Sequence, residues 1–168
     1  CRQVNKEDWP NHAKPKPQNL PYPSLGTLFV GRDAFMQQLR TSIEAHAQAV
    51  IKPRQAIHGL GGIGKTRLAT EYAWQHKDQY SALLFVIAET PEALRRNLSA
   101  LCGPLVLDLP EQNANEEEHK VAAALAWLQQ HEGWFLLVDN VDTPEAVAEA
   151  ERLLGQLSTG HVVYTSRM

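Results

Sequence analysis

A chain of 168 residues, 43% apolar and 21% charged, has the make-up of one ordinary globular domain with one core. Its formal net charge of -3 and sequence pI near 6.2 argue against the clustered Lys and Arg surface that nonspecific nucleic-acid binding requires, so no nucleic-acid partner is expected. Two cysteines, Cys1 and Cys102, are too few for a disulfide framework, and no apolar run approaches the roughly 20 residues that cross a bilayer, so a cytoplasmic location without a membrane partner is expected.

Five of the ten prolines stand at positions 10, 15, 17, 21 and 23 among polar neighbours, which predicts an extended linker over residues 1–23 and a domain over 24–168. From Leu28 the composition changes. Phe35, Leu39 and Ile43 recur at helical spacing after Gly31, Arg32 and Asp33, with Asp33 as a candidate cap. A short strand is expected from Gln55 to His58, then a glycine-rich turn from Gly59 to Gly64, then a helix whose apolar face carries Leu68, Ala69, Tyr72 and Ala73.

A second strand reads from Ala82 to Ile87, and Pro91 starts a helix through Leu101, where its missing N–H is least costly. Gly103 to Asn113 reads as loop. Asn115 is a candidate N-cap ahead of Glu116, Glu117 and Glu118, and Val121, Leu125 and Leu128 continue that helix. A third strand spans Trp134 to Val138, a helix follows Pro144 through Leu154, and a fourth strand spans His161 to Thr165 after a turn at Gly160. Strands alternating with helices at these lengths predict a parallel sheet covered on both faces. The chain opens at Cys1 and stops just after a strand-like run, so it is read as a fragment whose domain is incomplete at the C-terminus.

The strongest chemical signal is the run Gly59, Leu60, Gly61, Gly62, Ile63, Gly64, Lys65, Thr66, which fits G-x-x-x-x-G-K-[ST] between a strand and a helix. Glycines without side chains let backbone N–H groups wrap an anion closely, and the following helix aims its positive end at the phosphates. Lys65 is expected on the β and γ phosphates, and the Thr66 hydroxyl on Mg2+; Arg67 follows directly and is included in the nucleotide-binding set.

The second signal is an apolar strand, Trp134 to Val138, that ends in Asp139. A carboxylate at the carboxyl end of a parallel strand stands where ligands bind in open α/β sheets and is a Mg2+ ligand candidate. Asn140, Val141 and Asp142 follow, so no glutamate stands next to Asp139 to polarise an attacking water. Asp142 is the alternative base, or a helix-capping or loop residue. The third signal is Val162, Val163, Tyr164, Thr165, Ser166 and Arg167, an apolar strand with a polar end whose arginine is placed to sense a γ phosphate. Seven histidines lack metal-ligand spacing. Asn5, Lys6, Glu7 and Asp8 spell the guanine-reading N-K-x-D, yet they precede the P-loop and no D-x-x-G accompanies them.

In this order the three signals resemble the NB-ARC family of STAND signalling ATPases, over about residues 20–168. The resemblance includes Leu28, Phe29, Val30, Gly31 and Arg32, similar to the segment with which that family covers adenine and ribose, and Glu89, Thr90 and Pro91 after the second strand. It implies a three-layer α/β P-loop NTPase with strand order 1-4-3-2, the additional-strand type. It also implies contacts of Val30 and Arg32 with base and sugar; with the residue readings above, Asp139, Asp142 and Arg167 form the candidate catalytic or sensing set, and Thr66 and Asp139 the Mg2+ ligands. Asn140 departs from the second acid of many members, so at most slow ATP hydrolysis is expected. The implied function is an ADP/ATP switch whose nucleotide state controls self-association, with effector and sensor domains outside this stretch. A conventional P-loop ATPase or kinase acting by turnover is the competing expectation, and a scaffold that has lost nucleotide exchange is a third.

Overall fold

Four parallel strands form the middle of the protein, hydrogen-bonded in the order β1-β4-β3-β2. A computed structural model describes residues 15–48, 54–57 and 64–167. The strands are β1 (Arg54–Ile57), β2 (Leu83–Ile87), β3 (Phe135–Asp139) and β4 (His161–Thr165); the helices are α1 (Asp33–Gln48), α2 (Lys65–Gln75), α3 (Pro91–Ala100), α4 (Glu117–Gln130) and α5 (Pro144–Leu154). The last strand in sequence thus inserts between β1 and β3, with Ile57 opposite Thr165 and Val138 opposite Tyr164.

The order of side chains along the strands explains the layers. Successive strand residues point to opposite faces. Phe135, Leu137, Leu83 and Val163 pack with Met36, Leu39 and Ile43 of α1 and Ala69, Tyr72 and Ala73 of α2. Leu136, Val138, Leu84, Val86 and Val162 pack instead with Leu94 and Leu98 of α3, Val121, Ala124 and Leu128 of α4, and Ala146, Ala150 and Leu154 of α5. Every residue of β3 is buried, as a strand covered on both faces requires.

Local chemistry sets the helix starts. Thr90 and Thr143 cap α3 and α5, each hydroxyl accepting from the N–H three residues on at 3.1 Å, with proline in the first turn. Asn115 is not the cap of α4: the flanking residue is Glu116, whose side chain makes no capping bond. The acidic first turn of Glu117 and Glu118 supplies the dipole complement there. On α1 Met36 is buried together with Leu39 and Ile43, whereas Phe35 is half-buried against the same cluster.

The proline-rich stretch is extended, as expected, but it is docked from Pro15 onward. Gln18 forms a parallel bridge to Leu83. The Asn19 N–H donates to the Leu83 carbonyl at 3.1 Å, and the Leu83 N–H donates to that of Pro17 at 3.0 Å. The Asn19 side chain also exchanges two bonds with the Phe85 backbone, at 2.7 and 2.9 Å. This strap covers the otherwise open edge of β2, a place where exposed N–H and C=O groups would recruit another strand. Residues 1–14 of the expected linker lie outside the described residues.

Candidate functional site

All four strands run the same way, so their carboxyl ends share one edge, and the chemically distinctive side chains gather there. Gly64 precedes α2 with φ of +126°, a backbone geometry that side chains resist. No side chain caps the first turn of α2, and that turn presents Lys65 and Thr66. Lys65 is buried and its ammonium donates to the backbone carbonyl of Ser166, just past β4. Among the described residues it has no carboxylate partner. A buried cation is costly unless it is paired, and an anion bound at this edge would supply the pairing charge.

Asp139, at the end of β3, is also buried. Its Oδ1 accepts two hydroxyls, from Thr66 and from Thr165, each at 2.5 Å. The Thr165 hydroxyl in turn accepts the N–H of Asn140 at 3.0 Å. The edge therefore joins three elements: Lys65 and Thr66 of α2, Asp139 of β3, and Thr165 and Ser166 from the end of β4. Carboxylate and hydroxyl oxygens side by side are the donor set of a hard cation such as Mg2+, which takes few protein ligands and keeps several waters. The donors fit that ion, and the Lys65 ammonium beside them fits a phosphate.

No protein-family model matches the chain. It is 27% identical over 117 residues to a nucleotide-binding leucine-rich repeat (NLR)-like protein of Hyaloscypha variabilis, a match covering 68% of the chain and 12% of that relative. The chain therefore spans a small part of the relative's length. The fold is similar to the crystal structure of Cdc6p from Pyrobaculum aerophilum, at a TM-score of 0.51 and 15% identity, over 92% of this chain and 41% of that one. Together these likenesses support a P-loop NTPase of the NB-ARC or STAND type. At that identity the structural neighbour speaks for the fold alone.

The structure places the remaining expected residues unevenly. Gly59, Leu60, Gly61, Gly62 and Ile63 lie outside the described residues. Val30 is 77% exposed, and Arg32 is exposed with its carbonyl accepting the Met36 N–H at 3.0 Å as α1 begins. Arg67 turns away from the edge: its guanidinium lies 5.1 Å from the centroid of the Tyr22 ring and donates to the Pro23 carbonyl at 3.2 Å. Asp142 does not cap α5, since Thr143 does. Its Oδ1 accepts the Arg167 N–H at 2.7 Å and lies 3.5 Å from the Ser166 hydroxyl. The Arg167 guanidinium, largely exposed, is 3.8 Å from the other Asp142 oxygen.

Several contacts at the edge and along α2 could not be read from the sequence. Asn140 adopts a left-handed backbone, φ 61°, a conformation asparagine tolerates better than most side chains. Its side-chain amide donates to the Glu89 carboxylate at 3.2 Å, linking the ends of β2 and β3. The Thr165 bond to Asp139 depends on the register of β4 against β3. Glu71 of α2, 1% exposed, reads in sequence as one more polar residue of an amphipathic helix. No group of three or more His, Cys, Asp or Glu residues that could hold a metal ion occurs among the described residues. No described helix is long and apolar enough to cross a membrane.

Proposed function

We propose that this chain is the nucleotide-binding module of an ADP/ATP switch, with adenine nucleotide and Mg2+ at the carboxyl edge of the sheet. The observation that carries the reading is the buried Lys65 ammonium, which among the described residues is bonded to the neutral Ser166 carbonyl, beside the Thr66, Asp139 and Thr165 oxygen cluster. Lys65 would leave that carbonyl for the β and γ phosphates, and the Gly59 to Gly64 loop would wrap them with backbone N–H groups. Thr66 and Asp139 would hold Mg2+, which supplies charge neutralisation at the phosphates when bound. The additional-strand arrangement, with β4 inside the sheet, puts the Ser166 carbonyl within reach of Lys65, so phosphate occupancy bears directly on the exit of β4 and on Arg167.

Occupancy rather than rapid turnover is the purpose this geometry favours. Asp142 is engaged by the Arg167 N–H and is a poor candidate for a free base. Asn140, next to Asp139, has no carboxylate to orient water. Self-association under nucleotide control, and effector or sensor domains beyond this stretch, belong to the same proposal; the relative's name supports nucleotide binding, and most of its length lies outside the match.

Isothermal titration with Mg-ADP tests the reading. Lys65→Ala should weaken binding by about 10- to 150-fold, the loss of a charge-assisted contact worth roughly 1.5–3 kcal/mol. Equal affinity of wild type and variant would refute it. Phosphate release at about 1–1000 per second would instead favour a conventional ATPase.

A further inference from the structure

The strap that covers the β2 edge also climbs α2. Lys16 donates to the carbonyls of Lys77 and Tyr80 beyond the C-terminal end of that helix, at 2.5 and 3.0 Å. The Tyr22 carbonyl accepts the Trp74 indole N–H at 2.8 Å, and the Pro23 carbonyl meets Arg67. From Trp74 to Arg67 is about 10 Å along the helix axis at 1.5 Å per residue. The strap thus runs from the far end of α2 towards the end that carries Lys65 and Thr66.

Its last side-chain tie is Glu71. One carboxylate oxygen accepts the Leu25 N–H at 2.7 Å, and the other accepts the Ser24 hydroxyl at 3.1 Å. Arg67 Nε stands 3.8 Å from the first of these oxygens. A carboxylate buried this deeply persists only if it is paired and hydrogen-bonded, and here two of its partners come from the strap. Immediately beyond the tie the chain turns at Gly26, φ 53°, then presents Leu28 and Val30, 78% and 77% exposed. Gly26 itself is bound back to the Ser24 hydroxyl at 3.0 Å, so the turn is built on the residue that Glu71 holds. Two large apolar side chains in water, on a turn fixed to the phosphate-binding helix, form a surface suited to a flat apolar group.

We propose that Glu71 is a positioning residue that latches the Ser24–Leu25 segment to α2 and thereby sets affinity for the base half of a nucleotide, leaving the phosphate grip unchanged. This rests on the nucleotide reading above. It assigns the two halves of the ligand to different parts of one helix: phosphates to its first turn, base to the strap fixed one to two turns further on.

The test compares Mg-ADP with Mg-pyrophosphate by titration calorimetry on wild type, Glu71→Ala and the milder Ser24→Ala, with amide hydrogen exchange at Leu25 and Phe29. Glu71→Ala should lose about 10- to 100-fold in ADP affinity, the equivalent of a broken charge-assisted hydrogen bond. Pyrophosphate affinity should stay within about twofold, and Leu25 should exchange faster. Ser24→Ala should shift both readouts in the same direction by less. Equal losses for ADP and pyrophosphate, or none for either, would overturn the assignment. If Glu71→Ala does not fold, Ser24→Ala decides alone: unchanged ADP affinity and Leu25 exchange overturn the latch. A wild type that binds neither ligand would refute the nucleotide reading and the specificity built on it, while Leu25 exchange would still decide whether Glu71 holds the strap.

Discussion

Replacing Thr165 by Val keeps the shape of a buried side chain and removes only its hydroxyl. That hydroxyl donates to Asp139 at 2.5 Å and accepts the Asn140 N–H at 3.0 Å, 3% exposed to solvent. The first bond involves a carboxylate and is worth roughly 1.5–3 kcal/mol; the second is a neutral bond of about 0.5–1.5 kcal/mol. Asp139 keeps the Thr66 hydroxyl, so part of its demand stays satisfied and the loss should fall at about 2–4 kcal/mol. For a chain of this size each kcal/mol lowers Tm by roughly 2–4 °C, so a fall of about 4–16 °C is expected. Thermal melts monitored by circular dichroism give the value, and Thr165→Ser is the control, since it keeps the hydroxyl and loses one methyl, worth about 1 kcal/mol. A valine variant within about 0.5 kcal/mol of wild type, or a serine variant as damaged as the valine, would refute the bridge between β3 and β4.

Two further outcomes follow from packing and charge. A Cβ at Gly160 would lie 2.2 Å from Trp134 Cδ2, and the indole cannot swing aside freely because its N–H donates to the carbonyls of Leu128 and His131 at 2.8 and 3.0 Å. Gly160→Ala should therefore cost about 1–3 kcal/mol, read as a lower urea midpoint; an unchanged midpoint would contradict the packing. The Glu149 carboxyl is held down to about 2, first by the Arg152 hydrogen bond and then by Arg95. A carboxylate depressed below its unfolded value near 4.3 adds stability above that pH and loses it as pH falls towards 2. Glu149→Gln should thus be less stable than wild type at about pH 7, with the gap closing by about pH 2; a gap that stays constant would contradict it.

Much of the fold was legible because its elements follow simple periods. Leu68, Ala69, Tyr72 and Ala73 are buried on α2, and the uninterrupted apolar run of β3 is buried throughout. Lys65, Thr66 and Asp139 could be named from motif and strand end. What stayed hidden has no period. The strap from Pro15 to Leu25 is held by backbone edges, the Asn19 side chain and the Glu71 carboxylate, so its prolines and polar residues spell a linker. Asn115 looked like a cap by residue type, yet the chain enters α4 one residue later, where helix starts are least determined by composition. The engagement of Asp142 by Arg167 depends on where β4 ends relative to β3, which no local pattern carries.

Nucleotide binding at the carboxyl edge is tested most directly by titrating the isotopically labelled chain with Mg-ADP and following its backbone amide resonances. The largest shifts should fall on Gly64, Lys65, Thr66, Asn140, Ser166 and Arg167, with smaller ones from Leu25 to Arg32. Shifts centred instead on the groove lined by Arg95, Val121, Leu125 and Leu153, or no shifts at saturating ligand, would contradict it.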